Sequence, residues 1–106
     1  MRGPYLLRPL QVDIAVPTRV GGVYCLSKDR RQVSFVGRAD KGLRDAIKSY
    51  WNQYEFFWYE PSLSPREAFE SECYHFHKHR DRGQLEGCEH PKPPDKVDCR
   101  CPVCGK

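Results

Sequence analysis

Cys101-Pro102-Val103-Cys104-Gly105 has the make-up of a zinc knuckle. Two thiolates separated by two residues reach one metal ion, and the glycine permits the tight turn that aims backbone N–H groups at sulfur. Upstream, Cys88-Glu89-His90 supplies a second pair. Cys88, His90, Cys101 and Cys104 are therefore the expected Zn²⁺ ligands, with Cys99 in place of His90 as the main alternative. A disulfide from Cys88 to Cys99 or Cys101 is a further reading, as is a reduced tail without metal. A closed four-ligand site is structural: it staples chain rather than performing chemistry.

A second group lies on an amphipathic segment. Phe69, Cys73 and Phe76 share one stripe of a helical wheel, the expected core-facing side, and Glu72 sits about 40–60° from it. A carboxylate at the edge of a core is costly unless it is paired, hydrogen-bonded or bound to a cation. Glu72 either reaches solvent or a Lys or Arg partner, or it holds a divalent ion such as Mg²⁺ beside a phosphate. His75, His77 and His79 crowd the same segment. His75 and His79 are four apart and can clamp a metal, although solvated histidines also suit a helix C-terminus. Cys25 and Cys73 fall in a predicted strand and on a helix face, where they read as small buried apolar residues.

These side chains need a frame, and the chain offers one. Pro4, Pro9 and Pro17 make residues 1–20 irregular, with room for one short helix around Leu10–Ala15. Gly22–Ser27 and Gln32–Gly37 read as two strands of a hairpin around the charged turn Asp29-Arg30-Arg31. Leu43, Ala46, Ile47, Tyr50 and Trp51 recur at helical spacing, and Tyr54–Tyr59 reads as a third strand bounded by Pro61. Ser64 and Glu67 form a capping box, with Pro65 at N1, so the last helix should begin there and run to about Lys78 or Arg80. From Gln84 onward apolar residues nearly vanish, and this tail cannot build a core of its own.

Composition narrows the function. Hydrophobic residues make up 39% and charged residues 30%, with 18 Lys+Arg against 14 Asp+Glu and a net charge of +4. That surplus suits a polyanionic partner. No apolar run approaches the roughly 18 residues a membrane span needs. The first residues lack the apolar region of a signal peptide, so the expected compartment is the cytoplasm, where clustered thiols hold metal more often than each other.

Gly22-Val23-Tyr24, followed ten residues later by Phe35-Val36-Gly37, resembles the paired tripeptides of the GIY-YIG nuclease superfamily. The residues that follow fit as well, from Arg38-Ala39-Asp40 and the helix opening at Gly42-Leu43-Arg44 to the stretch Ser64–Glu72. The resemblance covers roughly residues 20 to 80. It implies an α+β domain, a small three-stranded antiparallel sheet flanked by helices, that cleaves DNA phosphodiesters with one Mg²⁺ or Mn²⁺. By the same resemblance Glu72 holds that ion, Tyr24 helps activate water, Gly37 allows close approach of the backbone, and Arg38 meets a phosphate oxygen. Where the family carries a second tyrosine, this chain has Phe35. Its helix arginine is replaced by Ala46, with Arg44 two positions earlier as the candidate stand-in. Its later asparagine is absent around Leu85-Glu86-Gly87. The reading that follows is a GIY-YIG-type DNA endonuclease active in repair or recombination. The alternative is a catalytically weakened relative that binds nucleic acid or protein. DNA is the expected partner, with no membrane and no organic cofactor. The expected organisation is an N-terminal extension packing on the domain (1–20), the GIY-YIG-like domain (21–83) and a zinc-binding tail (84–106).

Overall fold

The computed structural model describes residues 1–86, 90–95, 97 and 99–105. Its elements are β1 (Arg2–Leu6), α1 (Pro9–Ala15), β2 (Gly21–Ser27), β3 (Phe35–Ala39), α2 (Leu43–Lys48), β4 (Phe56–Ser62) and α3 (Pro65–Asp81). The four strands form one antiparallel sheet in the order β1-β4-β2-β3. This is an α+β fold, and it corrects the expectation of three strands. The extra strand comes from the segment read as irregular. Arg2, Gly3 and Pro4 give it no alternating pattern, and as an edge strand it stays mostly exposed, so pairing with β4 rather than periodicity defines it.

Two helical layers sandwich the sheet. On one face, α1 and α2 bury Val12, Val16, Leu43 and Ile47 against Leu7, Tyr24, Leu26, Phe57 and Tyr59. On the other face Ala68 of α3 packs with Val23, Cys25, Val33 and Val36. Covered on both sides, β2 is buried along nearly its whole length, which is why Val23-Tyr24-Cys25-Leu26 has no polar alternation.

Boundaries shift where tertiary pairing overrides local pattern. The second hairpin strand begins at Phe35 rather than Gln32, because Asp29 Oδ1 accepts from the N–H groups of Arg31 and Gln32 at 2.7 and 2.9 Å and holds those residues in a turn. β4 runs through Pro61, which had been expected to end it. β1 reaches only as far as Tyr59, so at Pro61 only β2 flanks the strand and the missing N–H leaves no ladder gap on the β1 side. α2 ends at Lys48, so Trp51 leaves the expected apolar face and is half exposed. α3 opens as its sequence demands. Ser64 Oγ accepts from Glu67 N–H at 3.2 Å, and Glu67 Oε2 accepts from Leu63 N–H at 3.1 Å.

Candidate functional site

β3 and α3 bring two of the expected residues together. Arg38 Nη1 donates to Glu72 Oε1 at 3.0 Å, and both side chains are 13% exposed. The same guanidinium is 2.9 Å from Asp40 Oδ1 through Nε, donates to the carbonyl of Lys92 at 2.7 Å through Nη1, and lies over the Phe69 ring. Burial pushes Glu72 up to about 7, the Asp40 charge adds to this, and Arg38 only partly offsets it. A cleft of about 550 Å³ opens beside the pair between Arg38, Asp40 and Lys41 and the tail residues Pro93, Pro94 and Asp95.

Tyr24 and Gly37 also meet, but elsewhere. They are directly opposed on β2 and β3, and the Tyr24 ring crosses Gly37 so closely that a Cβ there would fall 2.4 Å from Tyr24 Cζ. Glycine at this position makes room for the ring. Because successive strand residues point to opposite faces, Tyr24 packs toward α2 with Phe35 and Tyr50, while Arg38 faces α3. Tyr24 is 5% exposed. Arg44 lies on that same α2 side. Its Nε donates to the carbonyl of Val16 at 2.7 Å and its Nη2 to that of Asp13 at 2.9 Å, so it caps the C-terminus of α1. α1 has no basic residue in its own last turn, and α2 supplies the cation instead.

The tail lies against α3. The stripe expected to face the sheet core turns partly to the tail: Phe69 and Cys73 cluster with Cys101, and Phe76 sits edge-on to His90. His77, His90, Cys101 and Cys104 place one ligand atom each within 4.8 Å of one another, so this group can hold a metal ion. His77 Nε2 is 3.2 Å from His90 Nε2, which is 3.2 Å from Cys104 Sγ. His90 Nδ1 donates to the Pro91 carbonyl at 2.8 Å, which leaves Nε2 bare toward the group. Burial alone would raise the Cys101 thiol. Hydrogen bonds from the N–H groups of Cys104 and Val103, together with the thiols of Cys73 and Cys104, outweigh it and bring Cys101 down to about 6. Burial drives the Cys73 thiol well above its ordinary range.

Three of the expected ligands, His90, Cys101 and Cys104, are thus together, whereas Cys88 and Gly87 lie outside the described residues. Cys99 packs beside Cys73 and Phe69 and is not among these four. The member of this group missed from sequence is His77. The signal was present: His77 stands four residues after Cys73, on the helix face that is buried, and is itself 5% exposed. No helix among the described residues is long and apolar enough to cross a membrane. No protein-family model matches the chain, and none of the curated proteins or solved structures matches it either.

Proposed function

We propose that the chain is a GIY-YIG-like domain that hydrolyses DNA phosphodiesters with a divalent cation at Glu72, and that Zn²⁺ folds its tail. The observation that carries the first part is the Arg38–Glu72 pair, a scarcely exposed carboxylate and guanidinium 3.0 Å apart whose arginine, with Asp40, lines a cleft. The order of hairpin, helix, strand and helix from β2 to α3 agrees with the order the resemblance implies.

The donor set suits Mg²⁺ or Mn²⁺. Glu72 and Asp40 both lie on the Arg38 guanidinium, and such ions take one or two carboxylates and complete their shell with water. A bound cation would polarise the phosphate and favour deprotonation of an attacking water. Arg38 neutralises charge on the phosphate oxygens, and it does so once the Lys92 carbonyl gives up its place on Nη1. Burial of Glu72 leaves it a poor carboxylate by itself, and a cation beside it favours the ionised form.

For the tail, bonds of about 2.0–2.3 Å to Zn²⁺ give tetrahedral ligand–ligand edges of about 3.3–3.8 Å. The 3.2 Å separations at His90 Nε2 are close to those edges. Two thiolates and two imidazoles close the coordination sphere, so the role is structural.

One observation favours a second reading, a binding module without hydrolysis. Tyr24 is buried on the sheet face away from Glu72, and Arg44 is committed to α1. The deciding experiment incubates the full chain with branched, nicked and linear DNA and Mg²⁺ or Mn²⁺, beside Glu72→Ala. Metal-dependent cleavage that disappears in Glu72→Ala is expected. Cleavage that survives the substitution removes Glu72 from the site, and DNA retention without cleavage on any substrate establishes the binding module.

A further inference from the structure

The remaining histidines of α3 meet a third thiol. One ring nitrogen each from His75 and His79 and the Sγ of Cys25 lie within 4.8 Å of one another. The two imidazoles are one helical turn apart and share a face of α3. Cys25 comes from β2 and is 1% exposed. The donors therefore converge through the packing of α3 on the sheet, which fixes their spacing.

Each imidazole has an oxygen partner. His75 Nε2 is 3.4 Å from Glu60 Oε2, and His79 Nδ1 is 3.0 Å from Gln84 Oε1. An acceptor oxygen on one ring nitrogen orients a histidine and presents the other nitrogen to a metal. Met1 Sδ lies 3.5 Å from Cys25 Sγ and adds a soft donor. All four residues line a cleft of about 270 Å³ whose wall also carries Arg31 and Lys78. An ion has an entry path, and its fourth position is open to the thioether or to a ligand from solvent.

We propose that Cys25, His75 and His79 form a second metal site for a borderline-soft transition-metal ion, Zn²⁺ or Cu⁺. One thiolate and two imidazoles are the wrong donors for Mg²⁺ or Ca²⁺, which take oxygen, and the right ones for this class. The cationic rim of Arg31 and Lys78 disfavours added positive charge. With its single thiolate the site is neutral around Cu⁺ and carries one positive charge around Zn²⁺, which the Glu60 carboxylate beside His75 offsets, so it is the thioether that weights the site toward Cu⁺. The site shares no ligand with the tail group and rests on neither part of the proposed function.

The test titrates the reduced full chain with Zn²⁺ and, without oxygen, with Cu⁺, each against a chromophoric competing chelator. Wild type, the double variant His75→Gln/His79→Gln and Cys104→Ser are compared. For at least one of the two ions, the double variant should bind one equivalent fewer than wild type while Cys104→Ser retains that equivalent. A double variant that binds as much of both ions as wild type overturns the second site. So does a lost equivalent that Cys104→Ser also loses. If the double variant fails to fold by far-ultraviolet circular dichroism, His79→Gln at its partly exposed position gives the same reading. Failure of the tail site has a different signature, a wild-type equivalent lost in the double variant and unaffected by Cys104→Ser.

Discussion

Glu72 carries an electrostatic cost that pH can expose. Its ordinary value is 4.5, and in the fold burial raises it to about 7. The folded chain therefore binds a proton that the unfolded chain has released between these values. This contribution to stability is fully present below about pH 4.5 and is lost as pH rises through about 7. Glu72→Gln stays neutral throughout, so it should flatten this part of the pH dependence and gain on the order of 1–2 kcal/mol relative to wild type at pH 8. Urea unfolding at pH 5 and pH 8 measures it. An unchanged pH dependence would remove the assigned cost. Adding Mg²⁺ at pH 8 should stabilise wild type and leave Glu72→Gln unaffected. The edge position of Glu72 was legible in sequence because 3.6-residue periodicity is a local property. Its partner was not. That Arg38 rather than a lysine meets it depends on β3 register and on the approach of α3, which no spacing within one segment encodes.

Among the elements, α1 depends most on a neighbour. It spans seven residues, has no side-chain hydrogen bond at its N-cap and no basic residue in its last turn. Three of its C-terminal carbonyls are met from outside: those of Asp13 and Val16 by Arg44, and that of Ala15 by the Tyr59 hydroxyl at 2.6 Å. Arg44→Met keeps the stem and removes the donors. It should cost about 1–2 kcal/mol, since water can reach part of the site, and lower Tm by roughly 5–10 °C. A thermal melt within a degree of wild type would show that the cap contributes nothing. The helices were readable because their signals are local: Leu43 and Ile47 on one face, Ser64 and Pro65 at a start. β1 was not readable, since Gly3 and Pro4 carry no strand pattern and its existence rests on Tyr59, Phe57 and Phe56 across the sheet. The tail carried His90, Cys101 and Cys104 in plain view, yet the helix residue that groups with them, His77, was hidden among three alternating histidines.

At the scale of the molecule, the group His77, His90, Cys101 and Cys104 joins the tail to α3, and Lys92, Pro93 and Pro94 lie against Arg38 and its cleft. Removing the ion with a strong chelator, or substituting Cys104→Ser, should release this connection without dissolving the sheet. Hydrogen exchange should quicken across residues 99–105 and along the side of α3 that the tail covers, while β2 keeps its protection. Unchanged exchange in the tail would separate its packing from metal binding. The net charge of +4 adds weak attraction toward a polyanion but does not place it.

β1 has a consequence for how the protein behaves in company. It is the sheet's outer strand on one side, and an outer strand ordinarily offers its unpaired backbone groups to any passing chain. Here Pro4 contributes no N–H, and the register slips between Arg2 and Tyr5, so the free margin is broken in its middle. Another strand laid along it would find neither a continuous row of donors nor a straight line to follow. The segment that completes the sheet also closes this edge of it to further growth.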